Sequence, residues 1–296
     1  MNRRNFIKNS SLTVASGLLL SPQLNLKKKP QFGLQLYSVR ADLKIHPLDT
    51  LKEISKIGYN YVEGYGYGNR KWQGTGDVNQ TKIMLAESGL KMPSAHFVLK
   101  TSDYDFTKKD FSENIKYTLN DALAVGQKYF VSSSIINEDK KDVEAFKKLC
   151  EVFNRTGEYF SKNGLKLGYH NHDSEFDSFG DSTMMDMMLK EVDAKNLTIE
   201  MDMGWVVYAN QNPIEWFKKY PHRFELSHLK DGNKGGTPKK EFKSVVIGKG
   251  DVDFKSILEN RALGGLKMYI VEIEDYVVSP IADAKACLDN IKSYKL

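Results

Sequence analysis

The chain is predicted to fold as one α/β domain of the closed (β/α)8, or TIM barrel, class over residues 31–296. Two observations predict it. From residue 31 onward, short β-branched or aromatic runs alternate with longer stretches of 3.6-residue periodicity, giving eight such units. Gly58, Gly89, Gly126, Gly164 and Gly265 each stand just before the next apolar run, where a helix needs a residue tolerant of left-handed backbone. The rival is a doubly wound open sheet, which usually opens on a Gly-rich first turn. Here the first run continues instead into Tyr37-Ser38-Val39-Arg40.

Taken in order, the first strand is Phe32–Ser38, followed by a helix over Pro47–Ile57. The second strand, Tyr59–Gly64, precedes a helix over Gln80–Ser88, and the third, Lys91–Phe97, precedes one over Ser112–Val125. Lys128–Ser133 pairs with the helix Val143–Asn163, and Leu165–His172 with Thr183–Val192. The last three units are Leu197–Asp202 with Pro213–Lys219, Phe224–Lys230 with Phe254–Leu263, and Lys267–Glu274 with Pro280–Ser293. Residues 65–79 and 231–249 are irregular and glycine-rich. Both follow strands, which suits mobile loops over a site at the C-terminal end of the barrel.

Composition narrows the function classes. With 41% hydrophobic and 27% charged residues, and no apolar run near the roughly 20 residues a spanning helix needs, no membrane span is expected. The net charge of +5 is misleading, because residues 1–30 hold Arg3, Arg4, Lys8, Lys27, Lys28 and Lys29 and no acid. The remainder balances 37 basic against 38 acidic residues, so no basic face for nucleic acid is expected. Residues 1–30 read as an export signal and linker: a twin arginine in Asn2-Arg3-Arg4-Asn5-Phe6-Ile7-Lys8, an apolar stretch from Leu12 to Leu20, then Ser21-Pro22. The pattern resembles the twin-arginine leaders that carry folded proteins across the bacterial inner membrane, which implies a periplasmic protein. Cys150 and Cys287 lie on helix faces among apolar residues and read as buried free thiols.

The ends of the predicted strands are unusually polar. Side chains at the last inward positions of barrel strands converge on one mouth, and these positions carry Gln35 and Tyr37, Glu63, His96, His170 and His172, Glu200 and Asp202, His228 and Lys230, and Glu272 and Glu274. Imidazoles and carboxylates gathered in one cavity repel, compete for protons or bind a cation, and a divalent cation held by N and O ligands is the simplest resolution. Each residue also has a structural reading. His96 and His172 serve equally as hydrogen-bonded histidines, and Asp202 as a helix cap. Lys230 reads as a charge balancing Glu272 or as a substrate contact, because a buried, unpaired Glu272 would be expensive.

These residues resemble the sugar phosphate isomerase/epimerase group of xylose-isomerase-like TIM barrels. The resemblance rests on Gly33-Leu34-Gln35-Leu36-Tyr37-Ser38, Ser94-Ala95-His96-Phe97, Met201-Asp202-Met203-Gly204-Trp205, His228-Leu229-Lys230-Asp231 and Val271-Glu272. It implies one divalent ion (manganese, cobalt, magnesium or zinc) held by His170, Asp202, His228 and Glu272. His170 departs from the group's pattern, standing in His170-Asn171-His172 where many relatives read Glu-Asn-His. That replacement removes one of the paired carboxylates on which two-glutamate epimerases rely, and the Tyr-His-x-His strand also resembles inosose dehydratases and keto-glycoside eliminases.

The expected chemistry is proton abstraction beside a carbonyl on a sugar or keto-sugar, and export implies an unphosphorylated one. Catalytic candidates are Glu272, His170, His172 and Lys230; substrate-binding candidates are Gln35, Tyr37, Glu63, His96, Trp205 and Lys230. Trp72 is a further candidate for stacking on a sugar ring. The expected outcome is isomerisation or epimerisation, with β-elimination by a lyase as the alternative and a non-catalytic sugar-binding barrel as a further one.

Overall fold

The computed structural model describes residues 30–294, so the export leader expected over residues 1–30 lies outside the described residues apart from Pro30. Eight parallel strands form a closed barrel: β1 (Phe32–Gln35), β2 (Tyr61–Gly64), β3 (Ser94–Phe97), β4 (Tyr129–Ser132), β5 (Lys166–His170), β6 (Thr198–Asp202), β7 (Leu226–Leu229) and β8 (Met268–Val271). They pair in sequence order around the circle, and β1 closes it by bonding to both β2 and β8. Outside run α1 (Pro47–Lys56), α2 (Val78–Ser88), α3 (Glu113–Val125), α4 (Val143–Lys162), α5 (Met184–Glu191), α6 (Pro213–Lys219), α7 (Phe254–Glu259) and α8 (Pro280–Ser293). The five glycines expected to end helices all have positive φ, between 72° and 102°.

Alternation along the strands sorts two apolar clusters. Outward side chains such as Leu34, Val62, Phe130, Leu167, Ile199 and Val271 pack against the helices in one continuous core. That core includes the buried free thiols Cys150 and Cys287. Inward side chains Tyr61, Tyr129, Val131, Leu226 and Ile270 form a separate plug inside the barrel. Two glycines make room for it. A Cβ on Gly33 would lie 2.2 Å from the Tyr61 ring, and one on Gly168 would lie 2.9 Å from Val131. The plug gives the residues one level higher an apolar, water-excluding floor.

Several sequence expectations need correction. The strands are shorter than the alternation suggested. β1 stops at Gln35 because the Gln35 side chain accepts the Tyr37 N–H and turns the chain into a 3-10 turn over Leu36–Val39, so Tyr37 leaves the strand. His172, Lys230, Glu272 and Glu274 lie just beyond the ends of β5, β7 and β8, on backbone that has left the ladder. Short helices at Arg40–Ile45 and Met203–Tyr208 add to those expected, and the helix expected over Phe254–Leu263 is divided at Asn260 into Phe254–Glu259 and Arg261–Gly264. The Met203–Tyr208 helix begins where Asp202 Oδ1 accepts the Trp205 N–H.

The two glycine-rich segments are more built than mobile. In 65–79, Trp72 is 1% exposed, packed against Tyr67 and bridged to Gly76, so it is not offered to a ligand. In 231–249, the strand pair Asp231–Gly232 and Ser244–Val245 forms a hairpin over the mouth, and Phe242 stacks on Trp205 at 4.1 Å.

Candidate active site at the barrel mouth

Above the apolar plug, six of the eight strands direct polar side chains to one point. Gln35 and Glu63 are level with each other in the β1–β2 register, as are His170 and Glu200 across β5–β6 and Asp202 and His228 across β6–β7. His96 enters from β3, and Lys230 and Glu272 from the segments after β7 and β8. All of these are buried.

The contacts fall into two connected sets. In the deeper one, Glu200 Oε2 lies 2.7 Å from His96 Nε2, 3.3 Å from His228 Nε2 and 3.4 Å from His170 Nδ1. Glu63 Oε2 lies 2.7 Å from His228 Nε2 and 3.2 Å from His96 Nε2, and accepts a hydrogen bond from Gln35 Nε2 at 2.9 Å. In the set nearer the rim, Lys230 Nζ is 2.7 Å from Glu272 Oε2, 2.7 Å from Glu274 Oε1 and 3.1 Å from Asp202 Oδ2. His228 joins the sets, because its Nδ1 is 2.9 Å from Glu272 Oε2.

Charge follows from this geometry. Burial pushes the Glu63 carboxyl up, but His96 and His228 reverse that and hold it well below the usual carboxylate range. Burial likewise opposes charge on His96, and the Glu63 and Glu200 carboxylates override it to lift the ring to about 9. His228 is raised in the same way, against burial, by Glu200 and Glu272. Glu200 is pushed up to about 7 by burial and by the charge on Glu63. His170 moves the other way: burial first, then the neighbouring His228, His172, His96 and Lys230, hold it well below the usual histidine range. The Lys230 ammonium is retained despite burial because Asp202, Glu272 and Glu274 face it, and Glu272 is lowered, also against burial, by Lys230 and His228.

These donors fit a divalent cation. His96, His170, Glu200 and His228 offer ligand atoms all within 4.8 Å of one another, and so do Asp202, His228 and Glu272. Glu63 Oε1, Glu200 Oε1 and His170 Nδ1 are buried without a hydrogen-bond partner, at a penalty of about 1–3 kcal/mol each if nothing else binds them. Mixed imidazole and carboxylate donors suit first-row divalent ions.

The Xylose isomerase-like TIM barrel family model matches residues 51–293, most of the chain. The chain belongs to that family. An inosose dehydratase of Clostridium perfringens is 27% identical over 276 residues, covering 81% of this chain and 88% of that enzyme. One of Clostridium botulinum is 30% identical over 194 residues, covering 60% of this chain, and the chain spans 62% of that enzyme's length. Among solved structures, a sugar phosphate isomerase/epimerase of Parabacteroides distasonis superposes with a TM-score of 0.75 at 24% identity, covering 91% of this chain and 96% of that one. That likeness establishes the fold.

Within this xylose isomerase-like barrel, the residues expected at the site are distributed by depth. Gln35, Glu63 and His96 stand in the buried layer, where Gln35 holds Glu63 and both histidines of the Glu63 contacts hold it from the other side. His170, Asp202, His228, Lys230 and Glu272 gather around them. His172 and Trp205 lie higher, half-buried, with ring centroids 5.6 Å apart. Tyr37 is at the edge, 38% exposed, with Arg40 over its ring. Glu200 joins the cluster without a role derived from the sequence, although its place two residues before Asp202, on the same face of β6, is an available signal. Glu63 and His96, expected as substrate contacts, lie inside the ionic cluster.

Proposed function

We propose that the chain is a metal-assisted carbon–oxygen lyase that removes the proton beside the carbonyl of a keto-sugar or polyol ketone and expels the oxygen substituent one carbon further on. The observation that carries this reading is the state of Glu272. Its carboxylate is engaged by Lys230 and His228, and the position of the second carboxylate on β5 is taken by His170. Epimerisation through two free carboxylates on opposite sugar faces is therefore poorly served, whereas one imidazole, His172, stands at the rim outside the ionic cluster. The resemblance to inosose dehydratases supports loss of an oxygen substituent.

In this reading His172, half-buried at the rim beside Trp205, takes the α-proton. The C–H electron pair moves to the carbonyl oxygen as an enolate, then returns to form the carbon–carbon double bond as the β carbon–oxygen bond breaks. The departing oxygen takes the proton that His172 collected, so water or an alcohol leaves. A divalent cation held at His170 and His228 would supply positive charge opposite the enolate. Lys230 keeps Asp202 and Glu272 neutralised, and the apolar plug excludes water from below. Trp205 offers a flat edge to a sugar ring. The leader over residues 1–30 leads us to place this reaction in the periplasm, on an unphosphorylated substrate.

The test is incubation of metal-loaded protein with inososes, keto-sugars and 3-keto-glycosides in deuterated water, followed by NMR. Release of water or aglycone with an unsaturated ketone product is expected. Deuterium incorporation at the α-carbon with the substituent retained would sink the lyase in favour of an isomerase or epimerase. Binding that is insensitive to chelator, with no exchange, would favour a sugar-binding barrel.

A further inference from the structure

We propose that the cation binds in a buried four-donor cage formed by His96, His170, Glu200 and His228, with Glu63 beside it and Asp202 and Glu272 outside it. This departs from the set His170, Asp202, His228 and Glu272 implied by the family resemblance. It concerns where the ion sits and stands apart from which product the enzyme forms.

Distances within the cage point to one ion. Ligands about 2.0–2.2 Å from a common ion and at right angles to one another are about 3 Å apart. Glu200 Oε2 meets three imidazole nitrogens at 2.7, 3.3 and 3.4 Å, and Glu63 Oε2 meets two of them at 2.7 and 3.2 Å. Glu200 and the three imidazoles therefore have the spacings of neighbours around one centre, and their four donor atoms all lie within 4.8 Å of one another. His170 Nδ1, which faces Glu200, is buried and has no hydrogen-bond partner.

The outer carboxylates are arranged to orient the ligands. Glu272 Oε2 accepts the Nδ1–H of His228 at 2.9 Å, which leaves the Nε2 lone pair directed into the cage. Asp202 Oδ2 faces the far nitrogen of His170 at 3.9 Å. Metal-bound imidazoles commonly present their second nitrogen to a carboxylate in this way. An ion between Asp202 and Glu272 would instead have to displace the Lys230 ammonium, which lies 3.1 and 2.7 Å from those two carboxylates. The buried lysine thus fills with one positive charge the place that the family pattern gives to the metal. Three imidazoles with one carboxylate favour cobalt, zinc, iron or manganese over magnesium, which prefers an all-oxygen shell.

The experiment is proton NMR of the full chain, stripped of metal and reloaded with Co(II), with affinity from calorimetry. Each ligating imidazole with an N–H gives a strongly shifted, solvent-exchangeable signal. The cage predicts three such signals, from His96, His170 and His228, and two in His96→Gln. Two signals in wild type that persist unchanged in His96→Gln would overturn it, because the resemblance-derived set contains two histidines. Glu200→Gln is the second variant, expected to weaken Co(II) affinity by about 100-fold, at least as much as loss of an outer partner does. Affinity within about threefold of wild type in Glu200→Gln, or no Co(II) uptake by wild type, would also overturn the cage. The lyase reading is scored separately, by product.

Discussion

Lys230 meets carboxylates from two directions: Asp202 at the end of β6, and Glu272 and Glu274 beyond β8. A cation sealed among acids is tolerated because its removal is worse than its presence. Truncating one partner of a buried ion pair leaves the other charge uncompensated, at about 3–5 kcal/mol. Lys230→Met is therefore expected to lower the melting temperature by about 10 °C, given roughly 2–4 °C per kcal/mol for a domain of this size, and to cut turnover as well. A melting temperature within 2 °C of wild type, read by calorimetry, would show that the cluster does not need the ammonium. At this scale the sequence was informative about membership and poor on role. Strand alternation gathered His170, Asp202, His228, Lys230 and Glu272, because side-chain direction is set locally by the pleat. Which of them neutralises which depends on distances across the barrel, and those are not written in local order.

The hairpin after β7 shows the same division for an element. Its glycine content suggested a mobile loop, yet the fully buried Asp231 carboxylate accepts four backbone N–H groups, from Gly232, Gly248, Gly250 and Val252, at 2.7–3.2 Å. Gly250 is required by contact, since a Cβ there would lie 2.3 Å from Asp231 Oδ1. Asp231→Ala should cost about 2–4 kcal/mol, because charge-assisted bonds contribute about 1.5–3 kcal/mol each and water replaces some of them. Amide exchange should accelerate at Gly248, Gly250 and Val252 and leave β1–β3 unchanged. Equal protection in the variant would mean that the loop is held by Trp205 and Phe242 instead. The strands and helices themselves were legible, apart from their ends. β1 was drawn too long because Gln35, an inward strand residue by alternation, also caps the turn that follows.

For the whole molecule, closure of the barrel is reinforced at the face opposite the site. Glu225 accepts hydrogen bonds from Lys166 at 2.8 Å, Lys267 at 2.7 Å and Tyr129 at 2.8 Å, tying together residues of or beside β4, β5, β7 and β8. Burial raises its carboxyl, but the two lysines and the tyrosine outweigh this and lower it below the usual glutamate value. A depressed carboxylate stabilises the fold fully above its unfolded pKa of about 4.3, and that contribution is lost as pH falls through the lower folded value. The stability gap between wild type and Glu225→Gln, from urea titrations, should therefore be widest near pH 7 and narrow below pH 4. A gap independent of pH would sink this account.

What the chain determined by itself was the (β/α)8 architecture, the inward positions of the ionisable side chains and the free, buried state of both cysteines. Each follows from periodicity and local composition, which short-range geometry enforces. Only the tertiary structure decided that Glu200 and Glu63 join His96 beneath the rim, that Lys230 stands between Asp202 and Glu272, and that Trp72 is core. Those outcomes depend on depth along the barrel axis and on the stagger between strands far apart in sequence, and ring closure sets both together.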